Sequence, residues 1–288
     1  MWIVLALGTA LLTSLNPIIV KRLLVAAEVP VVIWTAQVIA LPLLATFALT
    51  IFGLSTVDHF FIVLVVIVAL LNAAAHIAST NALTHSDASL IAPLLTLSPA
   101  LTLGIGTFLL GEQPSRLGTM GVLMIVGGAY ALPFAPGQSW DAPLRALWRE
   151  RGARLALLAA SIWGVTPLLE KLAIAHTAPI NPALVPLAST IGVSLLLFPL
   201  VVRRPQRLLT QAHRAGRGLL LVGLISGSAP LLGFSALRLG IAGYVTALFT
   251  LRIMFITLWS ALLLGERPSR WRWAGVGLMA LGALLIAQ

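Results

Sequence analysis

Apolar residues follow one another along this chain in long runs, and short clusters of charged or turn-forming residues separate the runs. A run of roughly 17 to 25 apolar residues is long enough to cross a lipid bilayer as one α-helix. Turn-forming pairs such as Pro136-Gly137 and Arg204-Pro205 mark the separations. We predict ten membrane-spanning helices, near residues 2–20, 30–52, 59–82, 87–110, 116–134, 154–174, 181–202, 217–239, 242–264 and 271–287.

The pattern of runs occurs twice. Residues 89–116 align without a gap with residues 243–270 at an offset of 154 positions, and GEQPSR agrees with GERPSR at five of six places. Near the first span, Asn16-Pro17 with Lys21 corresponds to Thr166-Pro167 with Lys171 at an offset of 150. Because each copy has an odd number of spans, the second copy enters the membrane from the opposite side. The predicted fold is an all-α integral membrane protein of two inverted five-helix repeats, residues 1–134 and 154–288, joined by a cytoplasmic loop over 135–153.

The composition supports the membrane and argues against other classes. Hydrophobic residues make up 59% of the chain and charged residues 9%, whereas about a quarter of an ordinary soluble domain is charged. The net charge of +10 comes from arginines in short loops, so we expect basic membrane loops and no nucleic-acid partner. The absence of cysteine excludes disulfides and thiolate chemistry. Without an HExxH motif or paired carboxylates inside spans, we expect no enzyme activity, metal or cofactor.

The basic residues also predict an orientation. If the ten spans alternate, one side receives fourteen Lys and Arg residues and the other receives three. The positive-inside rule places the basic side in the cytoplasm and therefore both termini outside. The first residues lack the basic segment and cleavage site of a signal peptide, so we expect the first span to be retained.

The tandem pattern resembles the EamA-type transporters of the drug/metabolite transporter superfamily. The resemblance lies in Gly111-Glu112 with Gly121 downstream, in Gly265-Glu266 with Gly275, and in Trp163-Gly164 followed by Lys171. It covers nearly the whole chain. The first half departs from the family pattern, with Ser14-Leu15-Asn16-Pro17 where Trp-Gly is expected. The family also implies cytoplasmic termini, opposite to the orientation that the charges predict.

The resemblance implies a multi-pass secondary transporter in the inner (plasma) membrane that exports a small polar metabolite by alternating access. The alternative with the same fold is a flippase or an accessory subunit for a lipid-linked substrate. The expected partners are a small-molecule substrate and the lipid bilayer, with a homodimer left open.

Arg252 is the residue most in need of explanation. It lies near the middle of the ninth predicted span, where a charge costs about 3 kcal/mol on insertion scales, so it should face the bundle interior. Either it ties kinked helices together, with Glu170 as a salt-bridge partner, or its planar fork of donors binds a carboxylate on the substrate. The second interpretation favours an amino-acid-like substrate. The other predicted substrate-binding residues are Tyr244, Asn72, His76, Trp163, Thr166, Ser226 and Ser98.

Polar and small residues recur on equivalent faces of spans three and eight, where Asn72 and Ser226 correspond. Such faces indicate either close helix packing or the wall of a cavity between the repeats. In the second case, a bulky residue at Gly227 should slow transport.

Carboxylates in or near the spans have both structural and functional interpretations. Glu170 lies inside span six, where it is either an interfacial ion pair or a carboxylate that binds a proton or the substrate. Glu112 and Glu266 precede a helix in each half, so we expect each to stabilise the N-terminus of the helix that follows it; the alternative is a role in gating. Asp87 is expected to cap span four.

Overall fold

The computed structural model describes residues 1–23, 27–133, 139–203, 210–211, 214–263 and 268–288. Within these ranges, seven helical segments are long and apolar enough to cross a membrane, and the segments Arg116–Ala131 and Leu184–Pro199 are shorter apolar helices. The prediction of an all-α, multi-pass membrane protein is therefore confirmed.

The helices follow the apolar runs to within a few residues at most ends. Their bounds are α1 Trp2–Leu23, α2 Val29–Thr50, α3 His59–His85, α4 Ala88–Leu95, α5 Ser98–Leu109, α6 Arg116–Ala131, α7 Ala142–Arg149, α8 Arg151–Ala175, α9 Leu184–Val202, α10 Gly216–Leu239, α11 Ala242–Thr250, α12 Arg252–Leu263 and α13 Arg270–Ile286. Two short strands, β1 (Thr56–Val57) and β2 (Thr177–Ala178), pair antiparallel.

Two predicted spans are broken in the middle. The run near 87–110 divides into α4 and α5, and the run near 242–264 divides into α11 and α12. At the first break, Leu97 N–H turns back to Leu94 O at 3.3 Å, and Pro99 has no N–H to continue the ladder. At the second, Leu251 N–H bonds Leu248 O at 3.1 Å, three residues back instead of four. The repeat offset of 154 places Leu251 over Leu97, so both halves break at the same position.

The short helix α7 lies inside the segment predicted as a connecting loop. Asp141 precedes it, and Arg145 donates from Nε to the Asp141 carboxylate at 2.5 Å. Pro143 and Ala146 are buried, whereas Trp148 is exposed. Eight residues cannot span a bilayer, so a count of long apolar runs could not detect this helix.

The two halves exchange their first helices. α1 packs against α10, in the second half of the chain, and α8 packs against α3, in the first half. α2 lies between α10 and α9, and α6 packs along α13. Neither half is a separate bundle, because the first helix of each contributes to the other half.

The contact between α6 and α13 depends on four glycines. A Cβ at Gly121 would lie 2.5 Å from Gly282 O, and a Cβ at Gly128 would lie 2.6 Å from Gly275 O. Since no side chain fits at these distances, the two backbones touch in two layers, seven residues apart along each helix. We call these four residues the glycine seam.

Loops close one end of the molecule, which we call the termini end because α1 begins and α13 ends there. The strands β1 and β2 join the loop after α2 to the loop after α8. Asn181 is fully buried beneath them and donates from Nδ2 to Ala48 O at 2.9 Å. His176 and Asp58 lie 2.7 Å apart. We call the opposite end the basic end, after the arginines predicted there.

Candidate substrate-binding cavity

A cavity of about 620 Å³ lies where the two helix breaks meet. This volume is in the range of pockets that hold small molecules. Helices of both halves contribute to its wall. The lining residues are His76, Ala92, Leu95, Thr96, Ser98, Pro99, Ala129, Leu132, Pro133, Trp163, Thr246, Phe249, Thr250, Arg252 and Ile253.

Ten of these residues form five pairs related by the repeat. At an offset of 154 positions, Thr96 matches Thr250 and Ser98 matches Arg252. The same offset relates three further pairs, Ala92 with Thr246, Leu95 with Phe249, and Pro99 with Ile253. The cavity therefore lies on the boundary between equivalent parts of the two halves, with one important asymmetry, which is the charge of Arg252.

Arg252 is the first residue of α12, immediately after the second break. Its side chain is exposed and lines the cavity. Within the described residues, no ion pair or side-chain hydrogen bond engages its guanidinium. The donors of Arg252 are therefore available to a ligand in the cavity.

The three threonines that line the cavity use their hydroxyl protons internally. Thr96 Oγ1 donates to Pro93 O at 2.7 Å, Thr250 Oγ1 donates to Thr246 O at 3.1 Å, and Thr246 Oγ1 donates to Ala242 O at 3.0 Å. In this arrangement the threonines present oxygen lone pairs to the cavity. His76 meets the Trp163 ring edge-on at a centroid distance of 5.3 Å, and the two rings form part of the wall.

A smaller pocket of about 230 Å³ extends the cavity toward the basic end. Both spaces are lined by Leu132, Pro133 and Ile253. The smaller one continues along α12 to Thr257 and Ser260, and it ends at Pro268 and Arg272. A path lined in part by two arginines thus leads from the helix breaks toward the basic end.

Comparison with known proteins identifies the type of molecule. The model of the EamA-like transporter family matches residues 1–132 and 150–288. The chain belongs to the EamA-like transporter family. A curated relative, an uncharacterized transporter in the cobO 3'region of Sinorhizobium sp., is 33% identical over 137 residues, which is 46% of this chain and 93% of the relative. A crystal structure described only as "Crystal structure of protein" has the same fold, with a TM-score of 0.72, 17% identity, and coverage of 99% of this chain and 98% of the other.

The prediction of an EamA-type membrane transporter is confirmed. The family match and the transporter relative indicate a transporter rather than an enzyme. Four predicted substrate-binding residues of this EamA-like protein, Arg252, His76, Trp163 and Ser98, come together in the cavity.

The other predicted residues lie elsewhere. Tyr244 is buried at the termini end, where its ring stacks on Trp2 with centroids 6.3 Å apart. Thr166 is buried within α8, and Ser226 is half-buried on α10. Gly227 packs against Leu43 of α2, where a Cβ would lie 2.9 Å from a Leu43 methyl carbon.

Glu170 also lies outside the lining of the cavity. The carboxamide of Asn72, on α3, faces the Glu170 carboxylate. Of the described residues, none forms a salt bridge with Glu170. The structure therefore provides no support for the predicted ion pair between Glu170 and Arg252.

Several residues that line the cavity were not predicted from the sequence. The main ones are Thr96, Thr250, Thr246 and Phe249. Each looks like an ordinary member of an apolar run. The repeat offset was the available signal, because the neighbours of Ser98 and Arg252 coincide when the two halves are superimposed in sequence.

The role expected of Glu112 requires a correction. Its carboxylate accepts hydrogen bonds from Ala242 N–H, the first residue of α11 in the other half, at 3.0 Å to both oxygens. The helix that follows Glu112 is capped instead by Ser115, whose Oγ accepts from Gly118 N–H at 3.0 Å. The prediction was wrong about the partner because Gly111 turns the chain back with a φ of 63° and directs the loop across the halves.

Lys171 completes this contact. Its Nζ lies 2.5 Å from Glu112 Oε1 and 2.5 Å from Gly240 O. We call Glu112, Lys171, Gly240 and Ala242 the polar latch, since together they join α8, the start of α11 and the loop after α5. The matching Glu266 lies outside the described residues. Asp87 is at the N-cap position of α4, but its side chain makes no cap hydrogen bond.

Proposed function

We propose that this protein is a secondary transporter that exports a small polar metabolite by alternating access. The observation that carries the proposal is the cavity at the two helix breaks. Broken helices that meet between two halves are a common way of building a substrate site in transporters, because the free helix ends supply polar groups inside the membrane.

The proposal includes ten spans in two inverted repeats. The equal offset of the two breaks supports it, as do the five matched pairs in the cavity lining. The exchange of α1 and α8 supports it as well, because related halves should make equivalent contacts. Such a pair of halves can rock around a central site and expose it to each side in turn.

The difference between the two ends supports alternating access. The polar latch and the β1–β2 pair close the termini end, whereas the cavity extends toward the basic end. If the basic end is cytoplasmic, as the arginines predict, the site faces the interior of the cell. A site loaded from the interior and released outside gives export across the inner membrane.

A soluble substrate fits the cavity better than a lipid-linked one. The lining comes from α3 to α6, from α8, and from α11 and α12, so helices of both halves surround the space. A flippase needs a passage open sideways to the bilayer, and the central position of this cavity favours a molecule that enters from water.

The test compares metabolites in cells and in their medium for three strains. One expresses the wild-type chain, one expresses Thr250→Trp, which fills the cavity, and one expresses Leu262→Trp, on an exposed position of α12. We expect a compound that accumulates in the medium with the wild type and with Leu262→Trp, and that remains in the cells with Thr250→Trp at equal protein levels. Identical profiles for all three strains would contradict the proposal.

A further inference from the structure

We propose that the cavity selects a monovalent organic anion, a carboxylate on an apolar body, over a zwitterionic amino acid of the same shape. This inference rests on the proposed transport function and specifies its substrate class. It departs from the amino-acid-like substrate that the sequence favoured.

The first argument is the charge of the site. Among the described residues that line the cavity, Arg252 carries the permanent positive charge. No described Asp or Glu lines the cavity or the adjoining pocket. Glu170, on α8, does not line either space. A positive charge is therefore presented to the ligand without a negative one beside it.

The second argument concerns the sum of charges after binding. Arg252 lies near the middle of a span, where a charge is costly, and an opposite charge in contact with the guanidinium offsets part of that cost. A monoanion makes the loaded site neutral. A zwitterion leaves the site with a net positive charge, and its ammonium group lies close to Arg252 without a described carboxylate to bind it. The neutral complex is the more stable one in a medium of low dielectric constant.

The hydrogen-bonding groups of the cavity can engage both a carboxylate and an ammonium group, so affinities for an anion and a zwitterion of the same shape can be compared directly. A guanidinium binds a carboxylate with two parallel hydrogen bonds. The oxygens of Thr96, Thr246 and Thr250 present lone pairs, which can accept hydrogen bonds from an ammonium group but supply no negative charge. If those neutral oxygens dominate, the zwitterion will bind as well as the anion.

The third argument is the apolar character of the remaining wall. Leu95, Trp163 and Phe249 surround the space beside Arg252, and rings of this kind pack well against an aromatic or branched aliphatic body. Helix N-termini at Ser98 and Arg252 also meet at the cavity, and their dipoles favour a negative charge there. Arg272, at the far end of the adjoining pocket, extends the same preference along the path of entry.

The experiment uses three probes with the same phenyl ring and closely matched side chains. 3-Phenylpropionate carries one negative charge, phenylalanine is a zwitterion, and phenethylamine carries one positive charge. Each is titrated against the purified full-length chain at neutral pH, and the dissociation constant is obtained from the shift in thermal unfolding. We expect 3-phenylpropionate to bind at least about tenfold more tightly than phenylalanine, which corresponds to one lost charge-assisted contact. Phenethylamine should not bind.

Variants connect the result to Arg252. Arg252→Gln should raise the dissociation constant for 3-phenylpropionate by about tenfold to a hundredfold, which is the effect of losing a hydrogen bond to a charged group. The matched control is Arg238→Gln, in the last turn of α10 and exposed at the termini end, which should bind as the wild type does. If Arg252→Gln folds poorly, Arg252→Lys keeps the charge and removes the fork, and it should bind more weakly than the wild type while retaining the preference for the anion.

Three results would overturn the proposal: equal or tighter binding of phenylalanine, tighter binding of phenethylamine, or no response to any of the three probes. Unchanged affinity in both Arg252 variants would do so as well. The export experiment does not depend on the charge of the exported compound, so failure here would leave the proposed function standing.

Discussion

The two ends of this molecule are closed in different ways. At the termini end, described residues from both halves are joined by the polar latch, by the β1–β2 pair and by buried Asn181. Toward the basic end, the cavity and its smaller extension run along α12, and threonines, prolines and arginines line them. Among the described residues, polar contacts between the halves are thus more numerous at the termini end, and the open space lies toward the basic end. The basic side has a few such contacts, because Glu28 N–H donates to Gln211 Oε1 at 2.9 Å and Trp34 Nε1–H donates to Ser194 O at 3.1 Å.

This difference indicates which contacts must change during a transport cycle. A contact that joins the halves at one end must separate when that end opens, so it should be strong enough to hold and weak enough to break. The polar latch fits that requirement, because it consists of one ion pair and a few hydrogen bonds, each contributing about 1–3 kcal/mol. The glycine seam does not, because its close backbone contact extends toward both ends.

The largest effect is expected at the glycine seam. Gly282→Leu places a side chain where Gly121 O lies 2.5 Å from a Cβ, so we expect most of the folded protein to be lost, since overpacking costs about 1–3 kcal/mol or more. Gly277→Leu, on the same helix, is the control, because no atom lies within 4 Å of its Cβ. Gly128→Leu tests the layer nearer the basic end. The measurement is the yield of folded protein from detergent-solubilised membranes. A normal yield of the Gly128→Leu variant would show that the basic end does not depend on the glycine seam.

The next effect concerns the polar latch and the access it controls. Lys171→Gln removes the ion pair, and Glu112→Gln removes the pair and weakens the acceptor for Ala242 N–H as well, so we expect the second change to have the larger effect. Because the chain has no cysteine, Thr250→Cys supplies a single thiol in the cavity. Labelling by a membrane-impermeant maleimide from the termini end should increase in both variants. Equal labelling of the variants and of the protein with an intact latch would contradict a role for the polar latch in closing the termini end.

A smaller effect is expected at Asn72 and Glu170. Asn72→Leu leaves the carboxyl group without the amide that faces it, which should cost about 1–3 kcal/mol. Changing Glu170 to Leu in addition should restore most of the stability, because both polar groups are then replaced. Thermal unfolding of the single and double variants gives the coupling between them. Additive losses would mean that the two residues do not interact.

The smallest effect is expected at the surface of the termini end. The Phe61 N–H, and then the His176 side chain, hold the pKa of Asp58 below its usual range. A depressed pKa contributes stability above the unfolded value of about 3.9 and loses it as the pH falls through the folded value. Asp58→Asn should therefore lower the unfolding temperature slightly at pH 7, and the difference from the wild type should shrink as the pH falls below about 4. A difference that grows in acid would contradict this account.

Local pattern predicted the helices well because a long apolar run has one stable form in lipid. The bounds of α3, His59–His85, differ from the predicted span by three residues. The break at Leu251 could not be predicted, since no proline marks it and the run is apolar on both sides beyond Thr250 and Arg252. The partner of Glu112 was missed for a different reason. Contacts between distant parts of the chain depend on how the halves pack, and only the repeat offset carried information about that packing.

The exchange of first helices has a consequence for the synthesis of the protein. α1 ends at Leu23, while its main partner α10 begins at Gly216, so α1 must wait in the bilayer until most of the chain has been made. During that interval its partner-binding face is in contact with lipid or with an insertion factor. Thr9 Oγ1, which finally lies 3.3 Å from Ala229 O in α10, retains its bond to Leu5 O at 2.9 Å within α1. A polar group satisfied within its own helix lets α1 remain in the membrane before the second half arrives.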